Sequence, residues 1–264
     1  MRSEASFFVD IKVPKAVLLS DSFEPETTLH PNECDAVWYC GESATINCDA
    51  DGAVQSWTPQ ENLGLVAVPV KPNENTLRVG PDNGLVFQSG VNSGLVINAA
   101  LIEAAQFSCA VRYSSPNGDA RTLLTVNPPE RDNYLFLSEK DGQISWQDQG
   151  DRHVLSLPSP KGCGWVIAGF NNGKMTLSVA NEDQGFSKPV STELQDEDLL
   201  QDFDGINDVF IGCRSHRKGI LKTLGSSCIY DVLLWIDQDV SSTDLTRMRS
   251  VCRHCESKGE QNAV

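Results

Sequence analysis

The sequence predicts an all-β protein built as a two-sheet antiparallel sandwich. Three observations carry that expectation. The apolar blocks are short, and each is closed by Gly, Asn or Asp, as brief strands are. Apolar and small or polar residues alternate in Phe107-Ser-Cys-Ala-Val-Arg-Tyr113, the period of a half-buried strand. Tight-turn pairs separate the blocks at Asn117-Gly118, Asp141-Gly142 and Asn172-Gly173.

Taken in order, residues 1–35 read as an N-terminal arm. Phe7, Phe8, Val9, Ile11 and Val13 are apolar, but Pro14 interrupts the run, and residues 20–32 are polar with Pro25 and Pro31. An arm docked on a neighbour and an edge strand folded back are both compatible with this stretch. Strands are then expected around residues 36–40, 51–57, 84–90 and 94–97. Further strands follow at 107–113, 121–126, 134–137 and 144–146. The clearest hairpin joins 165–170 to 174–180 through Asn171-Asn-Gly173, with Met175, Leu177 and Val179 on one face. Two late strands, 208–213 and 228–235, precede a capped short helix over 241–252, and 253–264 is a tail.

At 264 residues the chain is long enough for a substantial core, as one large all-β domain or two small ones. Its 40% hydrophobic content is that of an ordinary globular protein. The formal charge of -15 argues against phosphate-backbone binding, which needs clustered cations, so no nucleic-acid partner is expected. No stretch approaches the roughly 20 apolar residues of a membrane span, so no membrane insertion is expected. Glu4 and Asp10 break what would be the apolar run of a secretory signal. Synthesis in the cytoplasm without a signal peptide is therefore expected. Nine cysteines at irregular spacings agree that no complete disulfide framework is obligatory.

Five ordered blocks carry a family resemblance over residues 36–252. Ala36-Val-Trp-Tyr-Cys40, Val54-Gln-Ser-Trp57 and Gly84-Leu-Val-Phe87 come first. The hairpin opening on Gly164-Trp165 and the closing strands Asp208 to Cys213 and Cys228 to Trp235 complete the series. Together they resemble the concanavalin A-like, LamG-type jelly roll of bacterial and phage surface proteins. The chain departs from that pattern at Tyr39-Cys40-Gly41, where the family carries Leu-Asp-Ala, and at Val166, where it often carries His. The expected lack of an export signal, the acidic, Cys-rich composition and the LamG-type sandwich together resemble head-spike or fibre proteins of alphaproteobacterial gene transfer agents.

The residues that carry chemistry are few. Glycosidases on such folds set two carboxylates about the scissile bond, commonly as Glu-x-Asp-x-x-Glu on one strand, and that run is absent. The acid-rich stretch 193–204 reads as a solvated surface. Its sharper alternative is a calcium site from Asp202, Asp204 and Asp208, although Ile206 and Cys213 break the EF-hand spacing. No other cofactor is expected. Zinc at His30, Cys34, Cys40 and Cys48, or at Cys252-Arg-His-Cys255, lacks paired short spacings in both halves. Cys34, Cys40, Cys109, Cys213 and Cys228 are expected to be buried.

Arg214, His216, Arg217, Lys218 and Lys222 concentrate positive charge in one loop of an acidic chain, suited to an acidic polysaccharide. Trp146 is a candidate face for sugar stacking, and Asn171 and Asn172 are turn-tip candidates for sugar contact. These readings converge on a non-enzymatic, carbohydrate-binding spike protein of a phage-like particle that adheres to cell-surface polysaccharide. It would attach to a capsid partner through the arm, form a homo-oligomer and reach the particle surface after lysis. The alternatives are a polysaccharide lyase or glycoside hydrolase on the same fold, or a purely structural virion decoration. A carboxylate pair, or a cluster of Tyr, His and Arg, would favour the enzyme.

Overall fold

The computed structural model describes residues 31, 35–60, 64–129, 133–181, 185–194, 203, 205–216, 221–240, 251, 252 and 255. Among them are two antiparallel sheets that enclose one main core. The eight-stranded sheet contains β1 (Val37–Cys40), β5 (Arg78–Val79), β6 (Leu85–Phe87), β8 (Gln106–Ser114), β13 (Cys163–Asn171), β14 (Lys174–Asn181), β15 (Val190–Glu193) and β17 (Ser227–Ile236). Its order is β15-β14-β13-β8-β17-β6-β5, with β1 also paired to β17. The nine-stranded sheet contains β2 (Ile46–Cys48), β3 (Val54–Trp57), β4 (Ala67–Pro69), β7 (Leu95–Ile102), β9 (Arg121–Asn127), β10 (Leu135–Lys140), β11 (Gln143–Asp148), β12 (Val154–Pro158) and β16 (Ile206–Ile211). Its order is β12-β11-β10-β9-β16-β7-β4-β3-β2.

The turns form where their residues demand. Asn172 and Gly173, at φ 45° and 86°, close the β13–β14 hairpin, and Asp141 and Gly142, at φ 51° and 71°, close β10–β11. Positive φ at both central positions matches the strand twist, which is why Asn-Gly and Asp-Gly occupy them. Gly212 has φ 73°, and a Cβ there would overlap the Phe87 ring, so close sheet-to-sheet approach requires glycine at that point.

Alternation assigns each strand two faces. Phe107, Cys109, Val111 and Tyr113 of β8 lie beside Val166, Ala168 and Phe170 of the neighbouring β13 on the face turned to the main core. Trp146 joins the same core, its ring edge-on to Phe107 at 6.5 Å, while Phe107 stacks on Phe170 at 5.5 Å. The other face of this sheet carries a second apolar cluster of Trp38, Ala110, Trp165, Leu233 and Trp235, covered by Val251, Cys252 and Cys255.

The all-β, two-sheet expectation is met. The C-terminal helix expected over 241–252 is not shown, because residues 241–250 lie outside the described set. The arm, apart from residues 31 and 35, and the tail, apart from Cys255, also fall outside it. No helix among the described residues is long and apolar enough to cross a membrane.

Candidate functional site

The strands bring charged residues together on the outward face of the eight-stranded sheet. Arg112 on β8 lies directly opposite Asp231 on β17, and Asp231 lies opposite Cys40 on β1. The Arg112 Nε donates to Asp231 Oδ2 at 2.7 Å, and the Trp38 indole Nε1 donates to Asp231 Oδ1 at 2.8 Å. The Asp231 carboxylate is thereby held from two directions while almost fully buried. Burial pushes its pKa up, whereas Arg112 and the Trp38 donor pull it back and the Glu42 charge adds to the rise.

A register shift in the β17–β8 pairing between Ile229 and Asp231 leaves Tyr230 out of the ladder. Such bulges re-aim side chains, and here the Tyr230 ring lies 5.2 Å from the Arg112 guanidinium. Its hydroxyl sits 3.1 Å from Ser114 Oγ, and burial raises the phenol to about 12, so it stays neutral at physiological pH.

Two turns supply the rim. After β1 the chain reverses at Glu42, whose carbonyl accepts from the Thr45 amide at 2.9 Å and hydroxyl at 2.8 Å. The turn between β5 and β6 closes through Gly80 N to Gly84 O at 2.7 Å and carries Asp82 and Asn83. A Cβ on Gly41 would overlap the Asn83 carbonyl, and one on Gly84 would overlap Cys228 Sγ and the Tyr230 ring. These two glycines let the rim turns close on the strands. The result is a small, shallow, partly open cleft lined by Trp38, Glu42, Asp82, Arg112, Tyr230 and Asp231.

The residues singled out from the sequence are scattered elsewhere. Trp146 has no exposed surface and donates its indole N–H to Gly169 O at 3.2 Å, so it presents no face to a sugar. All five tryptophans are in fact fully buried. Asn171 and Asn172 lie at the β13–β14 tip, where Asn171 Nδ2 donates to Asp239 Oδ2 at 3.3 Å and Asn172 Nδ2 donates to Asn171 Oδ1 at 2.9 Å. Arg214 and His216 lie over the nine-stranded sheet, while Arg217 and Lys218 are outside the described residues.

Of the calcium candidates, Asp202 and Asp204 are outside the described residues, and Asp208 Oδ1 accepts from the Ala99 amide at 2.8 Å. No group of three or more metal-ligating side chains occurs among the described residues. Sequence reasoning passed over Arg112 and Asp231, yet one signal was available. A lone aspartate and a lone arginine each interrupt a strand that is otherwise apolar or small.

Cysteine environments divide as burial dictates. Cys40, Cys109 and Cys213 are buried, and desolvation raises them to about 11, 12 and 12. Cys228 is half-buried rather than buried, Cys48 is exposed, and Cys34 lies outside the described residues. At pH 8 a thiol titrating near 11 is thiolate in only about one molecule in a thousand. We therefore expect iodoacetamide at pH 8 to label Cys48 within minutes and to leave Cys40, Cys109 and Cys213 unmodified until urea is added. Peptide mass spectrometry checks this; prompt labelling of Cys109 would contradict its burial.

No protein-family profile matches the chain, and no curated protein does. Solved structures do share its fold. An arabinofuranosidase complexed with arabinofuranosyl-α-1,2-xylobiose superposes with TM-score 0.54 at 8% identity, over 75% of this chain and 50% of the other. Trypanosoma rangeli sialidase, in complex with a difluoro-KDN, gives 0.53 at 17% identity, over 81% and 34%. A GH54 α-L-arabinofuranosidase soaked with a cyclic sulfate inhibitor gives 0.55 at 9% identity, over 84% and 65%. The chain thus spans between about a third and two thirds of these neighbours' lengths.

At such identities the likeness establishes a shared β-sandwich fold. It also overturns the reading as a non-enzymatic spike protein, since these neighbours are glycoside-cleaving enzymes with bound sugars or inhibitors. Neither the LamG-type resemblance nor a link to phages or gene transfer agents is shown by them. The enzyme alternative stands closer.

Proposed function

We propose that this chain is a carbohydrate-active β-sandwich that cleaves glycosidic bonds at the cleft between β1, β17 and the β5–β6 turn. The observation that carries the reading is the convergence of Glu42 and Asp82 on a rim above the buried Arg112–Asp231 pair, with Tyr230 beside them. Glycoside cleavage needs one carboxyl group to protonate the leaving oxygen and a second to activate water or attack the anomeric carbon. Glu42, half-buried and close enough to raise Asp231, is assigned the proton-transfer role. Asp82, exposed on the opposing turn, is assigned the second role. Arg112 and Asp231 are positioning residues, because their contacts fix the floor of the cleft and the bulge that carries Tyr230. The jelly-roll winding and the extent of the domain over 36–252 belong to the same proposal.

The test is a panel of aryl glycosides and polysaccharides assayed with the wild type and with Glu42→Gln and Asp82→Asn. Each substitution is expected to lower kcat by about 10²–10⁴-fold, the usual contribution of a general acid or base, with the melting temperature unchanged. Full activity in both variants would overturn the assignment.

A further inference from the structure

We infer that the outward face of the nine-stranded sheet holds a second site, built on Arg214, for the carboxylate of an acidic sugar. Phe136 alternates with the core residues Leu135 and Leu137, so its ring faces away from the core. Phe210 does the same between Val209 and Ile211, joining an outer apolar cluster. The segment that leaves β16 crosses these rings. It is tied down by Thr125 Oγ1 donating to Cys213 O at 3.1 Å and Asn127 Nδ2 donating to Arg214 O at 3.1 Å.

The Arg214 guanidinium lies 3.7 Å from the Phe136 ring centre, and its Nε donates to Thr122 Oγ1 at 3.3 Å. Stacking and one hydrogen bond thus fix the plane of the cation, while its Nη groups have no acceptor among the described residues. A fixed planar fork with open donors matches a carboxylate in two-pronged geometry. His216 sits edge-on to Phe210 at 5.2 Å, and its exposed imidazole accepts from the Lys71 amide at 3.4 Å. The half-buried Tyr134 ring lies 5.7 Å from that of Phe136.

A cation held on one aromatic with a second aromatic alongside fits a sugar ring bearing a carboxylate, a uronate, better than a neutral sugar. In a chain of net charge -15, a fixed cation admits an anion that the rest of the surface repels, and the Tyr134 ring adds the preference for a sugar over other acidic chains. The site lies on the opposite sheet from the cleft and stands independently of the catalytic reading.

The experiment titrates the full chain with an oligogalacturonate, the matching neutral oligogalactoside and oligoglutamate, by calorimetry at low and high salt. The expected result is binding of the oligogalacturonate that weakens with salt. Binding is expected to fall at least tenfold in Arg214→Gln and severalfold in Tyr134→Ala. Arg214→Lys keeps the charge and loses the fork, so a tenfold loss there with an unchanged melting temperature separates recognition from folding. Equal binding of oligoglutamate or the neutral sugar, or unaltered binding in Arg214→Gln, would overturn the inference, as would the absence of binding to any of the three.

Discussion

Replacing Asp231 by Ala is expected to lower stability by about 3–5 kcal/mol, the range for removing one partner of a buried ion pair. The Arg112 guanidinium, only 11% exposed, would lose its carboxylate partner, and the Trp38 indole N–H would lose its acceptor. Arg112→Met is expected to cost a similar amount, because it leaves the Asp231 carboxylate buried without its cation. The double replacement Arg112→Met with Asp231→Ala should cost clearly less than the two single changes added together, since it removes both charges at once. Urea denaturation of the four proteins measures the cycle. Additive effects would mean that the pair is a surface contact and that the cleft floor is not held by it.

Trp146→Ala is expected to cost about 3–5 kcal/mol, as for other large aromatic deletions from a packed core. The ring is fully buried against Phe107, and its N–H is committed to the Gly169 carbonyl across the sandwich. The same substitution at a sugar-stacking surface tryptophan would leave the melting temperature unchanged and abolish carbohydrate retention. Thermal melts with a retention assay therefore decide whether this residue belongs to the core or to a binding face.

These two cases show where the sequence could be read and where it could not. The β13–β14 hairpin was legible because Asn172-Gly173 needs no partner beyond its own strands; alternation and turn chemistry are local. The same holds for β8 and for the Asp141-Gly142 turn. Which face of a sheet a tryptophan occupies depends on the element packed across it. Trp146 on β11 meets Phe107 of β8, a contact that alternation alone does not announce.

The cleft was illegible for a similar reason. Arg112 and Asp231 are 119 residues apart and meet only because β8 and β17 pair in one register with a bulge at Tyr230. Glu42 and Asp82 come from two unrelated turns, so no spacing rule along the chain joins them. Two carboxylates on one strand form a local pattern, whereas this site is assembled from three separate segments. Arg214 and His216 are legible in the sequence, because clustered charge in an acidic chain is visible without a fold. Their seating on Phe136 and Phe210 is not.

The most direct measurement is to incubate the purified chain with a panel of neutral and acidic polysaccharides and follow new reducing ends, unsaturated products and polymer length. The account predicts shortening of at least one polysaccharide, with new chain ends that disappear in Glu42→Gln. Retention of polysaccharide at full length across the whole panel, with no new ends, would contradict it.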